Sequence, residues 1–110
     1  MKIALASDHA GFELKKGIAA YLGGKGIPFE DLGCGPGEVV DYVDFGILAA
    51  ERVVSRRCDR AILFCGTGLG MAIVANKFKG IRATPCWSLY TAGISRRHND
   101  SNCLALGGRV

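Results

Sequence analysis

Short apolar runs alternate along the chain with longer segments in which apolar residues recur at helical spacing. In the first of these segments Leu14, Ile18 and Leu22 lie at positions i, i+4 and i+8, which is typical of a helix with one buried face. Glycines follow most of the runs, and the glycine-rich stretch 33–40 is predicted to be a loop. The pattern predicts strands over residues 2–6, 27–32, 60–64, 81–85 and 102–106, and helices over residues 10–24, 44–55, 71–78 and 88–97.

Strands that alternate with helices of this length indicate an α/β protein with a parallel sheet. We predict a Rossmann-like, doubly wound three-layer sandwich around a five-stranded parallel sheet, with Asp44 as the cap of the second helix. Ligands of such sheets bind beyond the carboxyl ends of the strands. Ser7–His9, Cys65–Gly70 and the segment before Asn102 are predicted to lie at that edge, so the polar chemistry should be concentrated there.

Composition and charge narrow the classes of function. A length of 110 residues suits one domain, and 49% hydrophobic residues are too many for a disordered chain. The net charge of +4 is modest, and basic residues are scattered except for Arg56–Arg57 and Arg96–Arg97. We therefore expect an anionic metabolite as the ligand and no nucleic acid. No apolar run approaches the ~20 residues of a membrane span, which predicts no membrane partner.

The five cysteines, at positions 34, 58, 65, 86 and 103, are odd in number and form no CxxC pair. This pattern argues against a disulfide framework and against a four-cysteine zinc site. Met1 and Lys2 lead directly into the first strand, so we also expect no secretory signal. Reduced thiols, no bound metal and a cytoplasmic location follow as predictions.

The stretch Cys65–Gly70 joins a predicted strand directly to a predicted helix. A glycine loop in this position directs backbone N–H groups at an anion, and a cysteine at a helix start ionises more easily. A dinucleotide fingerprint would need Gly or Ala where Met71 stands, and no Gly-Lys-Ser/Thr follows for a phosphate loop. A cysteine phosphatase would need a nearby arginine, but the first basic residue after the loop is Lys77. A buried cysteine in a tight turn stays open as an alternative.

Two further groups of polar residues lie next to predicted strands. Asp8 and His9 come directly after the first strand, where Asp8 is equally consistent with a helix cap and with a ligand contact. His98 stands before Asn99 and Asp100, which are also typical of a simple turn. A thiolate, a histidine and loop N–H groups together suit proton transfer beside a carbonyl, and this chemistry requires neither a metal nor an organic cofactor.

The chain resembles the ribose-5-phosphate isomerase B family, which also includes galactose-6-phosphate isomerase subunits. The resemblance runs through the whole sequence in order, over Ser7–Phe12, Asp41–Tyr42, Cys65–Gly70, Ala75–Lys77, Gly80–Ala83, Ser95–Asp100 and Leu106–Val110. It implies a Rossmann-like sheet and metal-free interconversion of aldose and ketose phosphates through an enediolate, in the pentose phosphate pathway for ribose 5-phosphate. It also implies a homodimer or tetramer whose active site is shared between subunits.

The resemblance assigns a role to each candidate residue. Cys65 would shuttle the proton between C1 and C2, while Thr67 and the loop residues Gly66, Gly68, Leu69 and Gly70 would stabilise the enediolate. His98 would open the sugar ring. Substrate contacts would come from Asp8 and Asn99 to hydroxyls, from His9 and Arg109 to phosphate, and from Tyr42 at the pocket wall.

The sequence also departs from the family. Some members use a glutamate a few residues after the cysteine position, and Ala72, Ile73 and Val74 offer none, which favours cysteine as the base. Val43 replaces the usual proline. The family continues beyond Arg109 into helices with further arginines, so residues 1–110 are expected to form a single isomerase domain without that C-terminal extension. Alternative functions are an isomerase of galactose 6-phosphate or allose 6-phosphate, a non-catalytic phospho-ligand-binding subunit, and a cysteine hydrolase.

Overall fold

The computed structural model describes all residues from 1 to 110. Strands and helices alternate strictly, in the order β1 (Ile3–Ser7), α1 (Phe12–Gly24), β2 (Phe29–Asp31), α2 (Tyr42–Val54), β3 (Arg60–Cys65), α3 (Leu69–Ala75), β4 (Ala83–Pro85), α4 (Leu89–Arg97) and β5 (Cys103–Gly107). The strands form one five-stranded sheet in the order β2-β1-β3-β5-β4, with every neighbouring pair parallel. The predicted α/β sandwich is confirmed.

Alternate residues of the central strands pack into two separate cores on opposite faces of the sheet, because successive side chains of a strand point to opposite faces. Ala4 and Ala6 of β1 join the larger core, which holds 16 buried residues and includes those of α2 and α3. Ile3 and Leu5 face the opposite side and pack with Leu22 of α1. Helices therefore cover both faces of the sheet, and no helix is long and apolar enough to cross a membrane.

Element boundaries differ from the prediction mainly at the sheet edges and at helix starts. The outer strands β2 and β4 have three residues each, because an edge strand has only one partner strand. Helix α2 begins earlier than predicted, and its cap is Asp41, whose Oδ1 accepts a hydrogen bond from Val43 N at 3.0 Å. The prediction that Asp44 caps this helix is wrong, because Asp44 already lies within the first helical turn.

We expect Asp41→Ala to lower the free energy of unfolding by about 1 kcal/mol, since it removes the acceptor at the helix start. Asp44→Ala is the matched control, because it loses only a carboxylate near the positive end of the helix, worth about 0.3–1 kcal/mol at an exposed position. Urea unfolding of both variants measures the difference. A larger loss in Asp44→Ala than in Asp41→Ala would contradict this assignment of the cap.

Candidate active site

The ends of β1, β3 and β5 converge at the carboxyl edge of the sheet. Gly108 N donates to Cys65 O at 2.8 Å, and Arg109 N donates to Gly66 O at 2.9 Å. From the other side, Asp8 N donates to Phe64 O at 3.1 Å. The loops that follow three neighbouring strands are thus bonded to one another through their backbones.

Glycines make this close approach possible. A Cβ atom on Gly11 would lie 2.5 Å from the carbonyl carbon of Phe64, and one on Gly107 would lie 2.7 Å from that of Thr67. Real Cβ atoms do not come so close to backbone. The glycines at these turns therefore serve to bring the loops into contact.

Cys65 is the last residue of β3 and is buried. Its Sγ accepts a hydrogen bond from Gly68 N at 3.1 Å, in a turn that Gly68 makes with a φ of 84°. An N–H group directed at sulfur interacts more strongly with a thiolate than with a thiol. The loop thus holds one donor on the sulfur at the edge where the predicted site lies.

The thiols of two other cysteines, Cys103 and Cys58, have raised pKa values. Burial raises the pKa of the Cys103 thiol to about 12, so this group stays protonated and unreactive near neutral pH. Burial and the nearby Glu30 carboxylate also raise the pKa of Cys58. No cluster of three or more His, Cys, Asp or Glu side chains is arranged to hold a metal ion.

The glycine loop presents further polar groups around Cys65. The Thr67 Oγ1 atom accepts a hydrogen bond from Leu69 N at 3.2 Å, and the Thr67 O–H group donates no hydrogen bond within the chain. Thr67 is exposed, as is Leu69. A hydroxyl in this state is available to donate to an oxygen of a bound molecule.

The two carboxylate oxygens of Asp8 serve different purposes, one in the turn and one open to a ligand. Its Oδ1 accepts a hydrogen bond from Gly11 N at 3.0 Å and so fixes the turn before α1. The other carboxylate oxygen has no partner within the chain, although the residue is only 8% exposed. One oxygen is structural, and the second is available to a ligand hydroxyl.

His9, Tyr42 and Arg109 surround the same edge. His9 Nδ1 lies 3.3 Å from Val40 N and 3.2 Å from Val40 O, which leaves Nε2 directed away from this contact. The Tyr42 ring lies directly against Gly70, where an added Cβ would come within 2.7 Å of Cε2. The Arg109 side chain passes Gly66, with Cδ at 3.4 Å from the position of an added Cβ there. Arg109 forms no ion pair within the chain.

His98 and Asn99 lie at the opposite edge of the sheet. His98 caps the C-terminal end of α4, and Asn99 O accepts a hydrogen bond from Arg82 Nε at 2.6 Å. Both precede β5, whose first residue Cys103 is four positions, or about 13 Å of strand, from Gly107. Because Gly107 is the residue paired with Cys65, the prediction that all polar chemistry meets at one edge is wrong for this segment within one chain.

Lys15 is a buried residue that the sequence analysis missed. Its side chain is 1% exposed, and its Nζ donates to Asp31 Oδ1 at 2.7 Å. A signal was present, because Lys15, Ile18 and Leu22 lie at i, i+3 and i+7 and so belong to the buried face of α1.

Comparison with known proteins assigns the family. The family model described as ribose/galactose isomerase matches residues 3–110. Ribose-5-phosphate isomerase B of Escherichia coli is 47% identical over 109 residues, which cover 99% of this chain and 73% of that protein. The 4-deoxy-4-sulfo-D-erythrose isomerase of a Clostridium species is 46% identical over 111 residues, which cover 100% of this chain and 70% of that protein.

A solved structure agrees with these relatives. Ribose-5-phosphate isomerase B of Clostridium thermocellum is 54% identical and superimposes with a TM-score of 0.98, over 100% of this chain and 74% of that one. The superposition covers the whole of this chain and therefore includes the residues of the carboxyl edge. The protein therefore belongs to the ribose/galactose isomerase family, as an aldose–ketose isomerase of the ribose-5-phosphate isomerase B type.

Proposed function

We propose that this isomerase interconverts ribose 5-phosphate and ribulose 5-phosphate, with Cys65 as the base. The observation that carries the proposal is the hydrogen bond from Gly68 N to Cys65 Sγ at the carboxyl edge. It holds the sulfur in the same loop that carries the exposed Thr67 hydroxyl. The family resemblance agrees, since it assigns the proton shuttle to this residue.

The proposed reaction moves two protons and no electrons to or from a cofactor. The Cys65 thiolate removes the proton from C2 of the open-chain aldose, and the electrons of that C–H bond form the C1–C2 double bond. Negative charge develops on O1, where the loop N–H groups and Thr67 stabilise it. The thiol then returns its proton to C1, while O1 gains a proton and O2 loses one, which yields the ketose.

The remaining residues of the edge provide binding. The unpartnered oxygen of Asp8 suits a sugar hydroxyl, and the Tyr42 ring forms a wall beside Gly70. Arg109 forms no ion pair within the chain and supplies positive charge for a phosphate group, while His9 offers its Nε2 atom for a further hydrogen bond. No step of this scheme uses a metal ion or an organic cofactor.

We infer that a second copy of the chain completes the site. His98 and Asn99 lie at the amino edge of the sheet, about 13 Å or more from Cys65 within one chain. Their proposed roles in ring opening and hydroxyl binding therefore require that they come from a partner subunit, in a homodimer or a larger assembly. The cytoplasmic location stays a prediction.

Substrate choice is tested by incubating the purified protein with separate sugar phosphates and measuring the ketose formed. We expect the highest kcat/KM with ribose 5-phosphate, above that with galactose 6-phosphate and allose 6-phosphate. A four-carbon substrate belongs in the panel, because the 46% identical relative is a sulfoerythrose isomerase.

Three outcomes would contradict the proposal in different ways. A higher kcat/KM with a four-carbon or six-carbon sugar would overturn the substrate while leaving the chemistry in place. Failure to isomerise any of these sugars, with binding retained, would favour the non-catalytic phospho-ligand-binding subunit. A stable covalent adduct with an ester would favour the cysteine hydrolase.

A further inference from the structure

Lys15 carries a charge into the interior that the proposed reaction does not use. Burying an ammonium group is costly unless its protons find acceptors. Here Nζ donates to Asp31 Oδ1 at 2.7 Å and to Cys34 O at 2.9 Å, and it lies 5.4 Å from the centre of the Phe12 ring. An apolar residue at this position would pack without this cost. The role of the ammonium group therefore lies in the two acceptors that it binds.

Both acceptors flank Gly33, where the chain leaves β2 for the loop of residues 33–40. Asp31 Oδ1 also accepts a hydrogen bond from Gly33 N at 2.9 Å. The same point is joined to the end of β1, because Ser7 N donates to Gly33 O at 2.8 Å and Cys34 N donates to Ser7 O at 3.0 Å. Lys15 therefore fixes the start of the loop beneath the carboxyl edge.

The far end of the loop meets His9. Val40 N and Val40 O lie 3.3 Å and 3.2 Å from His9 Nδ1, and these are the contacts of the loop's last residue with the site. Between the two ends, the Glu38 side chain accepts a hydrogen bond from Gly35 N within the loop itself. The loop and the start of α1 border an open pocket of about 290 Å³, lined in part by His9, Phe12 and Glu38.

We propose that Lys15 is a positioning residue for the phosphate end of the site. Its ammonium group sets the start of loop 33–40, the loop sets Val40, and Val40 orients the His9 ring toward the substrate phosphate. The inference rests on the proposed function for the identity of the ligand, and on the contacts above for the path from Lys15 to His9. None of these contacts includes Cys65 or Thr67, so the proton shuttle lies outside the path.

Replacing Lys15 by methionine keeps the length of the side chain and removes its two hydrogen bonds. We expect KM for the sugar phosphate to rise about tenfold, as loss of a charge-assisted contact allows, with kcat within about twofold of the starting value. Lys16→Met is the matched control, because Lys16 is the exposed neighbour on the same helix, and it should change neither constant.

A direct readout comes from NMR of the imidazole nitrogens, since His9 and His98 are the protein's two histidines. In Lys15→Met we expect the His9 signals to shift and those of His98 to stay in place, with no change of either in Lys16→Met. His9→Asn identifies the signals. Unmoved His9 signals in folded Lys15→Met would overturn the proposal, even if KM rose.

A second variant keeps the test decisive if Lys15→Met fails to fold. Asp31 is 44% exposed at its side chain, and Asp31→Asn removes the carboxylate charge but keeps an oxygen that can accept a hydrogen bond from Lys15 Nζ, so the buried ammonium is not left without an acceptor. We expect it to shift the His9 signals in the same direction, and no shift would overturn the proposal. The NMR measurement requires no substrate. If the isomerase assay fails while the His9 signals shift as expected, the proposed function is overturned and the positioning role stands.

Discussion

Cys65→Ala is expected to lower kcat for isomerisation by about 10⁴-fold, the upper range for loss of a positioned base. Exchange of the C2 proton with heavy water should fall in parallel, because the proposed mechanism assigns removal of that proton to the same sulfur. The substitution deletes one buried sulfur beside Gly68 and leaves the backbone contacts of the loop in place. Substrate affinity should therefore change little, and circular dichroism should report an unchanged fold.

Cys58→Ala is the matched control for this experiment. It also removes a buried thiol, but one that precedes β3 and contacts Glu30, away from the carboxyl edge. Isomerisation and proton exchange should both stay within about twofold of the starting protein, since a thiol away from the carboxyl edge takes no part in the proposed proton shuttle. If Cys65→Ala retained exchange at the original rate, Cys65 could not be the base.

The sheet and the loop around Cys65 were predictable because their signals are local. Each strand is a short apolar run, and the glycines after β3 and β5 mark the turns that the close backbone approach requires. The cap of α2 was harder, since Asp41 and Asp44 both suit the start of that helix by residue type. Backbone geometry distinguished them, because only Asp41 has the extended conformation of a cap.

The position of His98 could not be read from residue types, although the topology contains it. A segment that precedes a parallel strand enters at the amino edge, whereas Cys65 ends a strand at the carboxyl edge. Lys15 was missed for a different reason, since a lysine in an apolar stripe is usually solvated at its tip. Its partners are Asp31 at the end of β2 and Cys34 in the loop that follows, and only the folded chain brings them next to α1.

Subunit complementation gives the second large effect that we expect. His98→Asn should lower turnover of the cyclic sugar by about 10²-fold, through loss of an acid–base group. A purified heterodimer of one Cys65→Ala chain and one His98→Asn chain should recover about half of the starting activity, because one of its two shared sites has both groups intact. The steady-state rate of ketose formation, compared with that of each variant homodimer, measures the recovery.

The decisive control places both substitutions on one chain and pairs it with an unaltered chain. If the site is shared, each of the two sites in this heterodimer lacks one group, and activity should stay near that of the variant homodimers. If each chain instead carried a complete site, the results would exchange: this heterodimer would keep about half of the activity and the complementing pair would have almost none. The two heterodimers contain the same substitutions in equal number, so instability cannot produce the contrast. We expect the contrast between the two heterodimers because Cys65 and His98 lie too far apart within one chain to form one site.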